Sequence, residues 1–122
     1  MARVSLLGFP QDLASQLSRI LLAEAHTVDH KRYIQDLAKR SRPSVVFICA
    51  DSPGFEDTVT ALKEAEPDLP FVVTTRMPNP MQWLNALEAG AADYCGAPFE
   101  AVQVRWIMGS ISRLQAPHVA AA

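Results

Sequence analysis

Residues 44–49, with the sequence SVVFIC, decide the fold: they form an apolar, largely β-branched run that follows Pro43. Residues 71–75, FVVTT, repeat the pattern further along the chain. Unbroken apolar runs of this length are typical of strands that are covered on both faces, as in the middle of a parallel sheet. We therefore predict that residues 44–49 form the central strand of a sheet and that residues 71–75 lie in the same sheet.

Shorter strand patterns occur at residues 4–7, 27–29 and 92–95, and helical patterns separate the strands. Helices are predicted to begin at a cap on Gln11 or Asp12, near Glu56, near Pro80 and after Phe99. The apolar positions that mark these helices are Leu13, Leu17, Ile20, Leu21, Val59, Leu62, Ala65, Trp83, Leu84, Leu87, Val104, Met108 and Ile111. The weakest pattern is a brief helix over residues 33–40, which ends in Lys39-Arg40.

Strands that alternate with helices predict an α/β fold with a doubly wound five-stranded parallel sheet and helices on both faces. We expect one domain over residues 1–114, because residues 115–122 show no packing pattern and are interpreted as a tail or the start of a linker. With 122 residues, 49% of them hydrophobic, the chain is long enough to fold without a metal or a disulfide.

Charge and hydropathy exclude several classes of function. The formal net charge is −2, and the cluster Lys39-Arg40 with Arg42 is too short to act as a basic field, so we expect no direct nucleic-acid binding by this domain. No apolar run approaches the ~20 residues of a membrane span, and the N-terminus lacks a signal-peptide pattern. We expect a cytoplasmic protein.

The sequence also lacks the residue patterns of a catalytic site. Cys49 and Cys95 have no closely spaced partner, which favours reduced, buried thiols over a disulfide framework or a zinc site. None of the three histidines is predicted to lie beside Cys49 as a catalytic base. We therefore predict no enzymatic activity, no cofactor and no bound metal.

Ligands of doubly wound folds bind outside the carboxyl ends of the strands, which here are Gly8-Phe9, Cys49 to Asp51, Thr75-Arg76 and Cys95 to Ala97. Over residues 3–114 the sequence resembles the receiver domain of bacterial response regulators. The resemblance rests on an ordered set of segments, namely residues 43–49, Pro53-Gly54, Thr75, residues 89–94 (AGAADY) and residues 97–99 (APF). It implies the flavodoxin-like strand order 2-1-3-4-5. Cys49 and Cys95 would then lie on strands separated by a third, too far apart for a disulfide.

The resemblance also implies which functional residues have been replaced. The family's acidic pair falls on Gly8 and Phe9, its phosphorylated aspartate on Cys49 and its lysine on Ala97, whereas Thr75 matches. Phosphoryl transfer requires an oxygen nucleophile and hard oxygen ligands for magnesium, which glycine, phenylalanine and a thiol do not supply. We therefore expect a degenerate pseudo-receiver that binds no magnesium and is not modified by phosphodonors.

Three neighbouring residues leave alternatives open. Arg76 is bulky enough to lie over the altered pocket, or it is an ordinary solvated arginine. Asp51 would become the acceptor only after a register shift of two residues. Thr75 and Tyr94 match the positions that couple the family's pocket to its signalling surface, or they are ordinary strand residues.

The leading functional hypothesis is a phosphorylation-independent interaction or dimerisation module of a bacterial regulatory protein in two-component signal transduction. If Val104, Met108 and Ile111 face the sheet, Val102 and Trp106 share an outer face of the last helix. With Trp83 they form the predicted interface for a homodimer or a signalling partner. The alternative is a thiol sensor in which Cys49 occupies the former acceptor pocket, its pKa lowered by Arg76 or raised by burial.

Overall fold

The computed structural model describes residues 2–37 and 42–115. Five parallel strands form one sheet in the order β2-β1-β3-β4-β5. They are β1 (Arg3–Leu7), β2 (Thr27–Lys31), β3 (Val45–Cys49), β4 (Phe71–Thr75) and β5 (Asp93–Gly96). Within the described residues the α-helices are α1 (Gln11–Ala23), α2 (Phe55–Ala65), α3 (Pro80–Glu88) and α4 (Ala101–Gln115). The predicted fold class and strand order are confirmed.

Each face of the sheet has its own hydrophobic core. In β3, Phe47 and Cys49 point into the core covered by α1 and α4, whereas Val46 and Ile48 point into the core covered by α2 and α3. Every residue of β3 and β4 is buried. This two-sided burial explains why the sequence of these strands shows a continuous apolar run and no alternation.

The helix predicted over residues 33–40 is wrong within the described part of the chain. A single 3-10 turn, Ile34–Asp36, follows β2, and residues 38–41 lie outside the described residues. Ile34 and Leu37 pack against the core beneath α2, while Tyr33 is exposed. These few apolar contacts do not offset the free-energy cost of nucleating a longer helix.

Two details of the predicted helices also need correction. Neither Gln11 nor Asp12 caps α1: both lie inside the helix, and Pro10 occupies the cap position in an extended conformation without a side-chain hydrogen bond. Ala65, predicted to face inward, is exposed because α2 ends there, and Leu69 fills the core beyond it.

The two helices that flank β5 differ in how many of their side chains are buried. In α4, Val104, Met108 and Ile111 are buried as predicted, and Ile107 joins them. In α3, Ala86 is the buried residue. The helix α4 continues to Gln115, and residues 116–122, which include most of the predicted tail, lie outside the described residues. No helix in the described ranges is long and apolar enough to cross a membrane.

Candidate functional site

The carboxyl ends of β1 and β3 carry glycine and apolar side chains. Gly8 has a φ of +70°, a backbone conformation that favours glycine, and its N–H donates to the carbonyl of Lys31 at 3.0 Å. The Ser52 hydroxyl donates to the Gly8 carbonyl. Phe9 is buried in the core. This edge therefore offers an ordered backbone turn and an aromatic ring at the two positions where the resemblance places acidic residues.

Cys49 is fully buried at the end of β3, and its thiol belongs to the core beneath α1 and α4. Burial raises the pKa of this thiol above its ordinary value of 9.0, and the smaller opposing effects of hydrogen bonds and of the Arg76 charge do not outweigh it. At neutral pH the thiol is therefore protonated, which is the unreactive form.

Both cysteines are free. In the sheet register, Cys49 and Cys95 each lie beside Thr74, one on either side of it. Two inter-strand spacings separate them, about 9 to 10 Å, whereas a disulfide needs Cα atoms closer than ~7 Å. The predicted separation of the two cysteines by one intervening strand is confirmed, and the absence of a disulfide stays a prediction.

Asp51 ties the end of β3 to the end of β4. Its carboxylate accepts a hydrogen bond of 2.8 Å from the Thr75 hydroxyl and another of 2.8 Å from the Arg76 N–H. The Thr75 hydroxyl also accepts from the Met77 N–H at 3.1 Å. Thr75 is almost completely buried. Its hydroxyl therefore lies out of water, between the charged carboxylate of Asp51 and the N–H of Met77. We call this arrangement the Asp51–Thr75 latch.

The Arg76 side chain crosses the carboxyl edge toward α1. Its guanidinium donates two hydrogen bonds to the Asp12 carboxylate, at 2.6 and 2.7 Å, in the bidentate geometry that arginine favours. This pairing lowers the pKa of Asp12 below its ordinary value of 3.8. Arg76 is thus ion-paired above the ends of the strands, and its side chain remains 45% exposed.

The two remaining positions lie at the end of β5. Tyr94 is half-buried, and its hydroxyl contacts the Gln82 side chain and accepts from the Asn79 N–H at 3.3 Å. Tyr94 is thereby attached to the start of α3. Ala97, at the family's lysine position, has only a methyl side chain, and its N–H donates to the Thr75 carbonyl at 2.8 Å.

These residues do not fit the magnesium ion that the receiver fold implies. Gly8, Phe9 and Cys49 provide no hard oxygen side chain. The nearby carboxylates, Asp12 and Asp51, already bind Arg76 and Thr75. No group of three or more acidic, histidine or cysteine side chains within residues 2–37 and 42–115 is arranged to hold a metal. We derive no chemistry through a metal at this site.

The predicted interface residues are all exposed. Val102 and Trp106 of α4 are 73% and 67% exposed, and Trp83 of α3 is 46% exposed. The Arg113 guanidinium lies 5.5 Å from the centre of the Trp106 ring, a cation–π contact within α4. The strand β5, which among the described strands pairs with β4 alone, lies at the edge of the sheet. The helices α3 and α4 flank it from opposite faces of the sheet. We call this region the β5-edge surface.

Sequence reasoning missed the two partners that organise the carboxyl edge, Asp12 and Ser52. Asp12 was predicted only as one of two candidate caps of the first helix. A usable signal existed for Asp12, because the predicted topology places the starts of the helices and the ends of the strands at one edge, where Arg76 carries the opposite charge.

Comparison with known proteins supports the fold. The chain matches no protein-family model and no curated protein. Among solved structures it is similar to the non-phosphorylated HemR receiver domain from Leptospira biflexa, with a TM-score of 0.76 and 23% identity over 97% of this chain and 99% of that one. NtrX from Brucella abortus, in complex with ADP, gives a TM-score of 0.83 and 19% identity over 93% of this chain but only 27% of that one.

A response regulator receiver domain protein from Clostridium thermocellum gives a TM-score of 0.77 and 17% identity, over 93% of this chain and 97% of that one. At these identities the similarity extends to the fold, and the chain has the fold of response-regulator receiver domains. The chemistry of the candidate site depends on the side chains that this chain itself carries.

Proposed function

We propose that this domain is a phosphorylation-independent, receiver-like signalling module that acts by protein contact, as a homodimer or with a signalling partner of a bacterial regulatory protein. The observation that carries the proposal is the Asp51–Thr75 latch. In the family, the threonine at this position responds to the phosphorylated aspartate. Here the Thr75 hydroxyl already binds a carboxylate of the same chain. The response of Thr75 therefore needs no added phosphoryl group, and Cys49 offers no oxygen to carry one.

The β5-edge surface supplies the contact. Trp106 buries only about a third of its side chain, and a fully hidden Trp covers roughly 150–250 Å². Covering the remainder would hide about 100–170 Å², worth roughly 2.5–4 kcal/mol at ~25 cal/mol per Å² as an upper bound. Exposed aromatic residues of this size are typical of interface centres, and Val102 and Trp83 extend the apolar area.

The thiol-sensing alternative has less support. A redox-sensing cysteine is typically accessible and ionised near neutral pH, whereas Cys49 is fully buried and burial raises its pKa. The role of Cys49 in this proposal is packing.

Sedimentation velocity over a range of concentrations tests the proposal. Trp106→Ala should weaken self-association by about 2 kcal/mol or more, which is about thirtyfold, while the circular dichroism of the fold is unchanged. Tyr33→Ala is the matched control, because Tyr33 is an exposed aromatic residue that follows β2, the strand at the opposite edge of the sheet from β5. Wild type that stays monomeric at high concentration would refute homodimerisation, and equal effects of the two substitutions would refute the surface.

A further inference from the structure

A recess lies at the carboxyl edge beside the Asp51–Thr75 latch, and its lining includes Gly8, Phe9 and Cys49 of the candidate site. It is bounded by the ends of β1, β2 and β3 and by the start of α2, and its volume is about 530 Å³. We call it the β1–β3 cleft. It lies where the strand order reverses, since β1 pairs with β2 on one side and β3 on the other. Doubly wound sheets bind their ligands at such a position, and pockets of this volume hold small molecules.

The charge of this cleft is opposite in sign to that of the whole chain. Its rim carries Lys31 and Arg32 beside His30, and no aspartate or glutamate of residues 2–37 and 42–115 lines it, although the net charge of the chain is −2. Neither Lys31 nor Arg32 forms an ion pair with a described residue. The His30 ring is held by the Phe9 carbonyl, 3.1 Å from its Nε2. Two unpaired cations beside a recess without carboxylates favour an anionic ligand.

Two carboxylates at the carboxyl edge of the sheet offset this charge only in part. Asp12 binds Arg76 through two hydrogen bonds, and Asp51 accepts from Thr75 and from the Arg76 N–H. Arg76 balances the charge of Asp12, whereas Asp51 accepts from neutral donors and keeps its charge, with its Oδ2 3.9 Å from the Cys49 thiol. The two cations of the rim therefore exceed this one negative charge. Gly8 and Phe9, which line this recess, carry no negative charge that would repel an anion.

The walls of the cleft are suited to an organic body attached to the anion. The rings of Phe9, Phe55 and the half-exposed Tyr33 line it, and Leu7 and Ile48 form apolar parts of its lining. We propose that the β1–β3 cleft binds a small organic anion with a planar apolar body, its phosphate or carboxylate headgroup held by Lys31 and Arg32. This proposal does not depend on the β5-edge surface.

Amide NMR of the whole chain tests the proposal with three probes that share one ring system: 1-naphthyl phosphate, 1-naphthoate and neutral 1-naphthol. Either anion should shift the amide signals of Gly8 and residues 31–33 saturably at concentrations up to about 10 mM, and naphthol should bind at least tenfold more weakly. The tighter of the two anions identifies the headgroup. No saturable shift from either anion, or equally tight binding of naphthol, would overturn the proposal.

Paired substitutions separate charge from structure. Lys31→Gln with Arg32→Gln should weaken the better anion at least tenfold, whereas Lys31→Arg with Arg32→Lys should retain binding within about threefold. Arg3→Ala removes one cation at the amino end of β1, the opposite edge of the sheet, and should leave binding unchanged. The same spectra report whether each variant is folded. Equal weakening by Arg3→Ala and by the glutamine pair would attribute binding to overall charge and overturn the assigned site.

Discussion

Removal of the Thr75 hydroxyl should destabilise the domain far more than removal of the neighbouring hydroxyl of Thr74. Thr75→Val keeps the side-chain shape but removes one of the two backbone or hydroxyl hydrogen bonds to the Asp51 carboxylate and leaves the Met77 N–H without its acceptor. A charge-assisted bond contributes about 1.5–3 kcal/mol and a neutral one about 1 kcal/mol, and the exposure of Asp51 reduces the first value. We expect a loss of about 2–3 kcal/mol in the free energy of unfolding.

Thr74→Val is the matched control. Thr74 is also fully buried, but its hydroxyl makes one longer bond, 3.3 Å, to the Ile48 carbonyl. Its loss should therefore cost about 1 kcal/mol or less. Urea unfolding followed by circular dichroism measures both changes. A double-mutant cycle with Asp51→Ala should show a coupling of about 1 kcal/mol or more between Asp51 and Thr75. Equal costs for the two valine variants, or a coupling near zero, would refute the latch.

Two further predictions concern packing and pH. A Cβ on Gly96 would lie 2.6 Å from the Pro78 ring, so Gly96→Ala should lower the free energy of unfolding, measured with urea, by about 1–3 kcal/mol. Gly109 lies within a helix, where an added Cβ makes ordinary contacts, so Gly109→Ala should raise the free energy of unfolding by about 0.5–1 kcal/mol. A Gly96→Ala variant as stable as the wild type would contradict the close packing. Burial raises the pKa of Cys95 from its ordinary value of 9.0 to about 12, so between these pH values the native state keeps a proton that the unfolded chain loses. Stability should therefore fall by about 1.4 kcal/mol per pH unit between pH 9 and about pH 12. The slope should be smaller by that amount in Cys95→Ala, and identical slopes would show that Cys95 ionises equally in both states.

The fold could be predicted because most of its elements carry a strong local pattern. The strands β3 and β4 are buried on both faces, so their sequence is apolar throughout. The helix predicted after β2 was wrong because its local pattern is not supported by contacts with the core. Tyr33, Ile34 and Leu37 have helical spacing, but only two of them contact the core, and a 3-10 turn satisfies those contacts.

The candidate site could be predicted only in part. The positions at the ends of the strands follow from topology, so Gly8, Cys49 and Thr75 were found from the sequence. The partners of these residues were not, because hydrogen bonds between residues 24 or more positions apart depend on side-chain direction. Asp51 illustrates the difference: the sequence placed it near the site, and the structure shows that it accepts from Thr75 and Arg76.

Sedimentation velocity in the presence and absence of magnesium and beryllofluoride, a phosphoryl mimic, tests the central claim most directly. The Asp51–Thr75 latch and the absence of an oxygen acceptor at Cys49 predict the same association constant under both conditions. Asp51→Asn, measured in parallel, detects any response that depends on this carboxylate. Association that appears or strengthens tenfold only when beryllofluoride and magnesium are added, and that Asp51→Asn abolishes, would contradict phosphorylation independence.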